Sequence, residues 1–230
     1  MHDTDRAAYH HGDLRKTLME ACCTHIAEHG TEGLSLRALA REAGVSATAP
    51  YRHFDSRQSL LAALATEGFE ELASSMDREV LEGDSVCALF EMGRAYVRYA
   101  RENPVKYHLM FGGAVGDFSA FESLLVAAND CYAVLEGILL QGQQHGDLCD
   151  GSLAELGGTV WAMVHGLAGL TISAEEKQLV CAEGPVPDGP PLRAQHAVAT
   201  APERALLRLM EGLVKDRSRL DALRQEWGVD

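Results

Sequence analysis

The residues best suited to chemistry lie in one short stretch, 35–57, which reads SLRALAREAGVSATAPYRHFDSR. They form no catalytic constellation. What they offer is contact chemistry: the guanidinium groups of Arg37 and Arg57, the hydroxyl and methyl of Thr48, the phenol of Tyr51 and the imidazole of His53. A threonine can present both a hydroxyl and a methyl to base edges, and the methyl can meet thymine. The elements that must position these groups are legible around them. Ser35 is a good N-cap for a helix, because its hydroxyl can accept from the orphaned amides of the first turn. Leu36, Leu39, Ala40 and Ala43 recur at helical spacing and form an apolar face. Gly44 stands where that helix must stop and can take a left-handed conformation without a Cβ penalty. Val45 plugs the angle that follows, and Ser46 is placed to cap a second helix carrying Thr48, Tyr51 and His53. This is a helix-turn-helix pattern, a unit that lays its second helix in the major groove of DNA.

Residues 30–64 resemble the DNA-binding half of the tetracycline-repressor (TetR) family of bacterial regulators. The matching pieces are His29-Gly30, then GLSLRALAREAGVS, then the YRHF tetrad ending at Phe54, then SRQSLLAAL. The resemblance implies that Arg37, Ser46, Ala47, Thr48, Tyr51, His53 and Arg57 face DNA. Tyr51 and His53 would bond phosphates, Arg57 would clamp a phosphate, and Arg37 lies where family members often reach DNA. The chain departs from the pattern at Leu36, where the family often has Thr. Ala47 and Ala49 leave few side chains to read bases by hydrogen bonds, so specificity leans on Arg37, Thr48, methyl contacts and DNA shape. A second, weaker resemblance is WAMVHGL at 161–167, which is similar to the Trp-x-x-x-His-Gly (WHG) signature of one C-terminal subgroup of that family.

Composition bounds the alternatives. A chain of 230 residues, 47% of them hydrophobic, can bury a sizeable core and suits one DNA-binding module plus one regulatory domain. The net charge of -14 argues against a general nucleic-acid coat. That charge is uneven: residues 1–60 hold seven Lys/Arg against eight Asp/Glu, leaving 13 against 26 for the remainder. DNA contact must therefore rest on a few well-placed arginines and backbone amides. No apolar run approaches a membrane span, and the N-terminus lacks the basic and apolar regions of a signal peptide. The six cysteines show no CxxC pairing and are expected to be reduced and mostly buried.

Nearly everything reads as helix. Helices are expected over 13–29, 56–81, 86–101, 105–111, 121–144, 153–182 (with an interruption near Ser173) and 203–227, with a break at Asn103-Pro104. Residues 184–202 hold five of the seven prolines and no helical period, so they read as a flexible loop. The expected architecture is all-α: a three-helix DNA-binding domain over 1–60 and a larger helical ligand-binding and dimerisation domain over 61–230. The helix over 56–81 belongs to both and is the expected lever between them.

Other constellations carry less. His25 and His29 are four apart with Cys22 nearby, but no acidic residue completes a metal site. Tyr9, His10 and His11 precede the first helix and could form a phosphate-touching arm or a frayed end. Trp161 and His165 lie one turn apart on a Gly- and Ala-rich helix. The resemblance implies a small-molecule pocket in the C-terminal part. Phe90, Tyr96, His108, Phe111, Phe121, Trp161 and His165 are the candidate walls.

The resulting expectation is a cytoplasmic, homodimeric transcriptional regulator, a repressor more than an activator. It would bind a pseudopalindromic double-stranded operator and leave it when a small-molecule effector binds, with no cofactor, metal or membrane. The dimer is expected through helices containing Trp161 and residues 206–214. Two rivals stand beside it. One is a redox-sensing regulator using Cys22 or Cys23. The other is an all-helical enzyme, for which no nucleophile elbow, phosphate loop, dinucleotide fingerprint or zincin motif is present.

Overall fold

The computed structural model describes residues 14–77, 84–177 and 189–228, and among these it is helical, with no named strand. Ten α-helices follow one another: α1 Leu14–His29, α2 Leu36–Glu42, α3 Arg57–Asp77, α4 Ser85–Glu102, α5 Pro104–Phe111, α6 Glu122–His145, α7 Leu153–Glu176, α8 Pro190–Thr200, α9 Pro202–Met210 and α10 Ser218–Glu226. Short 3-10 turns lie at Ala49–Arg52 and Phe118–Ala120. The chain divides into two compact units, Met1–Gly68 with Val105–Val126, and Phe69–Pro104 with Ala127–Asp230.

In the first unit α1, α2 and the Ala49–Arg52 turn pack on one another around Leu18, Cys22, Leu39 and Ala40, all fully buried, with Phe54 closing the core. Arg15 lies over the Phe54 ring at 5.5 Å, which covers that anchor with the stem of a charged side chain. Further along the chain, Gly68 has no Cβ because one would meet Met110 Sδ on α5 at 2.7 Å, so α3 and α5 touch backbone to side chain.

In the second unit α4 is the central helix. It packs on α7 and α9 and buries Phe90, Met92, Ala95, Val97 and Ala100. Asp84 caps it, accepting from the Cys87 amide at 2.8 Å. Asn103 ends it, and Pro104 opens α5, as the Asn-Pro pair predicts. Gly93 admits Leu206 of α9, since a Cβ there would come within 2.9 Å of the leucine. Arg219 on α10 pairs with both Asp84 and Asp147, and Arg94 stacks on Trp227 at 3.7 Å.

Five expectations need correction. The second helix of the helix-turn-helix is only a four-residue 3-10 turn. Ser46 does not cap it; its Oγ pairs with Thr48 Oγ1 at 3.2 Å. The expected loop over 184–202 contains α8: Pro190 and Pro191 sit in its first turn, where a missing amide costs nothing, and Gln195 and Ala199, four apart, are buried. The rest of that stretch up to residue 188 lies outside the described residues. The single helix expected over 203–227 is two, because the chain unwinds at 211–217 and pairs Val214 with Leu148 across a short antiparallel bridge. Cys149 donates to Leu213 O at 2.8 Å and Lys215 donates to Asp147 O at 2.9 Å to hold that bridge. Finally, α6 and α7 are long and apolar enough, by length and composition, to cross a membrane. α6 buries Leu124, Leu135 and Leu139 while exposing Glu122, Asn129 and Asp130, whereas α7 buries Val160, Val164 and Ala168 and exposes Trp161, Met163 and Leu170. α7 runs unbroken past Ser173.

Candidate nucleic-acid interface

Three local devices build the interface. Ser35, in extended conformation, accepts from the Ala38 amide at 3.1 Å and starts α2. Gly44, at φ 68, ends it. The Val45 amide reaches Ala40 O at 2.9 Å and the Gly44 amide reaches Arg41 O at 3.2 Å. That double bond is the Schellman arrangement, which satisfies the last carbonyls of α2 while turning the chain sharply. The third device is reciprocal. Ser56 N donates to Ser59 Oγ at 3.0 Å and Ser59 N donates to Ser56 Oγ at 3.1 Å, so two serines make a capping box that starts α3.

Between these ends the recognition segment is outward. Arg37, Ser46, Ala47, Thr48 and Tyr51 are exposed, and Tyr51 retains 47% of its accessible surface, a large value for an aromatic residue in a three-element core. Pro50 and Phe54 face inward and anchor the segment. His53 and Arg57 are half-buried. Arg57 donates through Nη2 to Thr31 O at 3.4 Å, which ties the start of α3 to the turn after α1. A guanidinium has five donors, so this bond leaves most of the fork unused. All seven sequence-selected residues thus belong to one unit, and Ser46 and Thr48 are hydrogen-bonded to each other. Arg52 falls outside the selected set. It is exposed beside Tyr51 and has no partner among the described residues. Its signal in the sequence is a cation on the outward side of the YRHF tetrad. Tyr9, His10 and His11 lie outside the described residues.

His25 spends its ring inside the unit. Nε2 lies 2.9 Å from Glu32 O, and the ring stacks at 5.1 Å on His29. Among the described residues no group of three or more His, Cys, Asp or Glu could hold a metal. Cys22 is fully buried and its thiol is pushed up to about 12, chiefly by desolvation. A thiol held protonated at neutral pH is a poor redox sensor. Cys131 is buried and pushed up to about 12 by the same cause. Cys181 lies outside the described residues.

The ligand candidates separate. His108, Phe111 and Phe121 belong to the first unit, His108 exposed and the two phenylalanines half-buried. Phe90, Tyr96, Trp161 and His165 belong to the second. Phe90 is fully buried beside Trp227, with ring centroids 6.1 Å apart, and acts in the core. Tyr96 and His165 are brought together: the tyrosine hydroxyl lies 3.1 Å from His165 Nδ1. Trp161 lies 6.0 Å from the His165 ring and 6.3 Å, edge-on, from Tyr132. Burial lowers the His165 pKa below its usual value.

Comparison with known proteins places this geometry. The family "Bacterial regulatory proteins, tetR family" matches residues 18–64, and "Tetracyclin repressor-like, C-terminal domain" matches residues 89–179. The HTH-type transcriptional regulator Rv1816 of Mycobacterium tuberculosis is 34% identical over 112 residues, 46% of this chain and 47% of that protein. The chain therefore spans about half the length of the curated relatives it matches. A Rhodococcus sp. RHA1 structure described as a protein with unknown function is 30% identical, with a TM-score of 0.69, covering 91% of this chain and 100% of the other. The TetR family transcriptional regulator PfmR of Thermus thermophilus shares the fold at 21% identity, with a TM-score of 0.59 and coverage of 83% and 97%. This chain belongs to the tetR family of bacterial regulatory proteins, which are transcriptional regulators and not enzymes.

Proposed function

We propose that this chain is a DNA-binding transcriptional repressor that grips a pseudopalindromic operator as a homodimer and is released by a small-molecule effector. The observation that carries the DNA part is the outward row Arg37, Ser46, Ala47, Thr48 and Tyr51, presented by a turn whose backbone is closed by Gly44 and whose far end is fixed by Ser56 and Ser59. Tyr51, His53 and Arg57 serve as phosphate contacts, and such a regulator works in the cytoplasm, on the chromosome.

Two half-sites need two copies. The supporting surface is on α7 and α8, which pack together and leave Trp161, Met163, Leu170 and Leu192 exposed. Leu206, Leu207, Met210, Leu213 and Val214, the other half of the expected dimer surface, are buried within the chain, so the dimer is assigned to α7 and α8 alone. The effector reading rests on the Tyr96–His165 pair. The motif Trp161-x-x-x-His165-Gly166 falls inside the matched C-terminal stretch, in keeping with the WHG subgroup. An effector shifts the equilibrium only by binding the DNA-incompetent arrangement more tightly, and α3, which runs through the division between the units, is the lever.

The test is a duplex selected by the full-length protein from a random-sequence library, titrated with salt. Tyr51→Phe should weaken binding by about 0.5–1.5 kcal/mol, the net value of one hydrogen bond. Arg57→Ala should weaken binding to every duplex alike and flatten the salt dependence. Wild-type behaviour of both variants would overturn the docking.

A further inference from the structure

We infer that the recognition turn reads the 5-methyl groups of thymine, through Ala47 and the γ-methyl of Thr48. The inference rests on the DNA-binding reading above and names the chemistry of its partner. In the major groove, adenine, guanine and cytosine present donors and acceptors, and thymine adds the one apolar feature, its methyl. Reading a purine in the usual two-bonded way takes Asn, Gln, Arg or Lys at the tip of the reading element. Residues 46–49 here are Ser, Ala, Thr and Ala, and the two in the middle are exposed. The two hydroxyls of this tip are bonded to each other. Ser46 Oγ and Thr48 Oγ1 lie 3.2 Å apart, so one donates to the other and only one free O–H remains between them.

The same bond prepares the methyl. Hydroxyl and methyl of threonine branch from one Cβ, so tying Oγ1 back to Ser46 also fixes the direction of Cγ2. The tip thus presents two neighbouring methyl groups, Ala47 Cβ and Thr48 Cγ2, at exposed positions on a backbone fixed by Pro50 and Phe54 beneath it. The long cations Arg37, Arg41 and Arg52 are exposed and their side chains have no partner among the described residues, which leaves the guanidinium groups for phosphates and guanine. A uracil or unmethylated cytosine at the same place would leave the two methyls facing water-sized gaps.

The experiment replaces each thymine of a library-selected duplex in turn by deoxyuridine, which lacks only the 5-methyl, and measures affinity for the full-length protein by fluorescence anisotropy. One or two thymines per half-site should each show about fourfold weaker binding on replacement, roughly 0.8 kcal/mol, the value of one buried methylene group. Thr48→Ser should abolish the penalty at one of those positions. Thr48→Val, which keeps a methyl and drops the hydroxyl, should retain it. Equal affinity for thymine and deoxyuridine at every position would overturn the inference alone, as would a penalty pattern unchanged in Thr48→Ser. Recovery of no preferred duplex would overturn both the inference and the DNA-binding reading beneath it.

Discussion

The helix-turn-helix and the Tyr96–His165 pair differ in how far along the chain their partners must be sought. Ser35 meets Ala38, Gly44 meets Arg41, Val45 meets Ala40, and Ser56 meets Ser59. These four pairings, which start and end the elements around the recognition turn, close within a few residues, and the Arg57–Thr31 bond is the longer-range exception. Tyr96 and His165 are 69 residues apart, and nothing near either one announces the other. A surface that must fit a regular DNA groove can be built from local rules. A cavity or a pair between helices is built from whichever helices happen to cross, and its chemistry becomes visible only after packing.

The sharpest way to break this comparison is at the dimer helices. Leu207 is 2% exposed against its own chain, while Met163 on α7 is 50% exposed. Leu207→Asp should therefore unfold the second unit, losing at least the roughly 2–5 kcal/mol of a buried leucine plus the cost of an unpaired carboxylate. Met163→Asp should keep its helical circular dichroism and melting temperature yet sediment as a monomer. If the effects were exchanged, the assignment of the dimer to α7 and α8 would be wrong.

A smaller effect separates backbone from side chain within the DNA-binding unit. A Cβ at Gly44 would meet nothing within 4 Å, yet its φ of 68 belongs to the left-handed region. Gly44→Ala should cost roughly 1–2 kcal/mol, the strain of an L-residue there. It should weaken DNA binding without removing any DNA-facing atom. Calorimetry that finds no loss of stability would show that the turn has another conformation available.

These particulars also show how much is legible in the residues. The helical ends at Ser35, Gly44 and Asn103 are local signals, and all three act as such. The second reading element reads as a fuller helix, because an apparent cap at Ser46 and a tolerable Pro50 look like a helix start. The structure spends the Ser46 hydroxyl on Thr48 instead, and Phe54 anchors the chain before another turn can form. Residues 190–200 mislead for the converse reason: two prolines suggest a loop unless they are read as the first turn of α8. The break at 211–217 depends on Leu148 arriving from elsewhere to pair with Val214, which periodicity cannot register. The seven aromatic and histidine ligand candidates look alike in sequence. Packing alone separates Phe90 in the core from Tyr96 and His165 joined to each other.

The smallest expected effect tests that pair as a structural object. Burial lowers the His165 pKa from the usual 6.5, so the folded chain holds this ring neutral at pH values where the unfolded chain has begun to protonate it. The unfolded state then binds more protons, and stability must fall as the pH is lowered through about 6.5 toward the depressed folded value. His165→Gln keeps a polar partner for the Tyr96 hydroxyl but cannot titrate. Calorimetric melting of the two proteins between about pH 7.5 and 5.5, a window that brackets the ordinary histidine range, should show a shallower loss in the variant, with nearly equal melting temperatures at the upper end. Parallel curves would mean that His165 is as solvated as an ordinary surface histidine. The 3.1 Å contact with Tyr96 would then be too transient to hold the wall of any effector site.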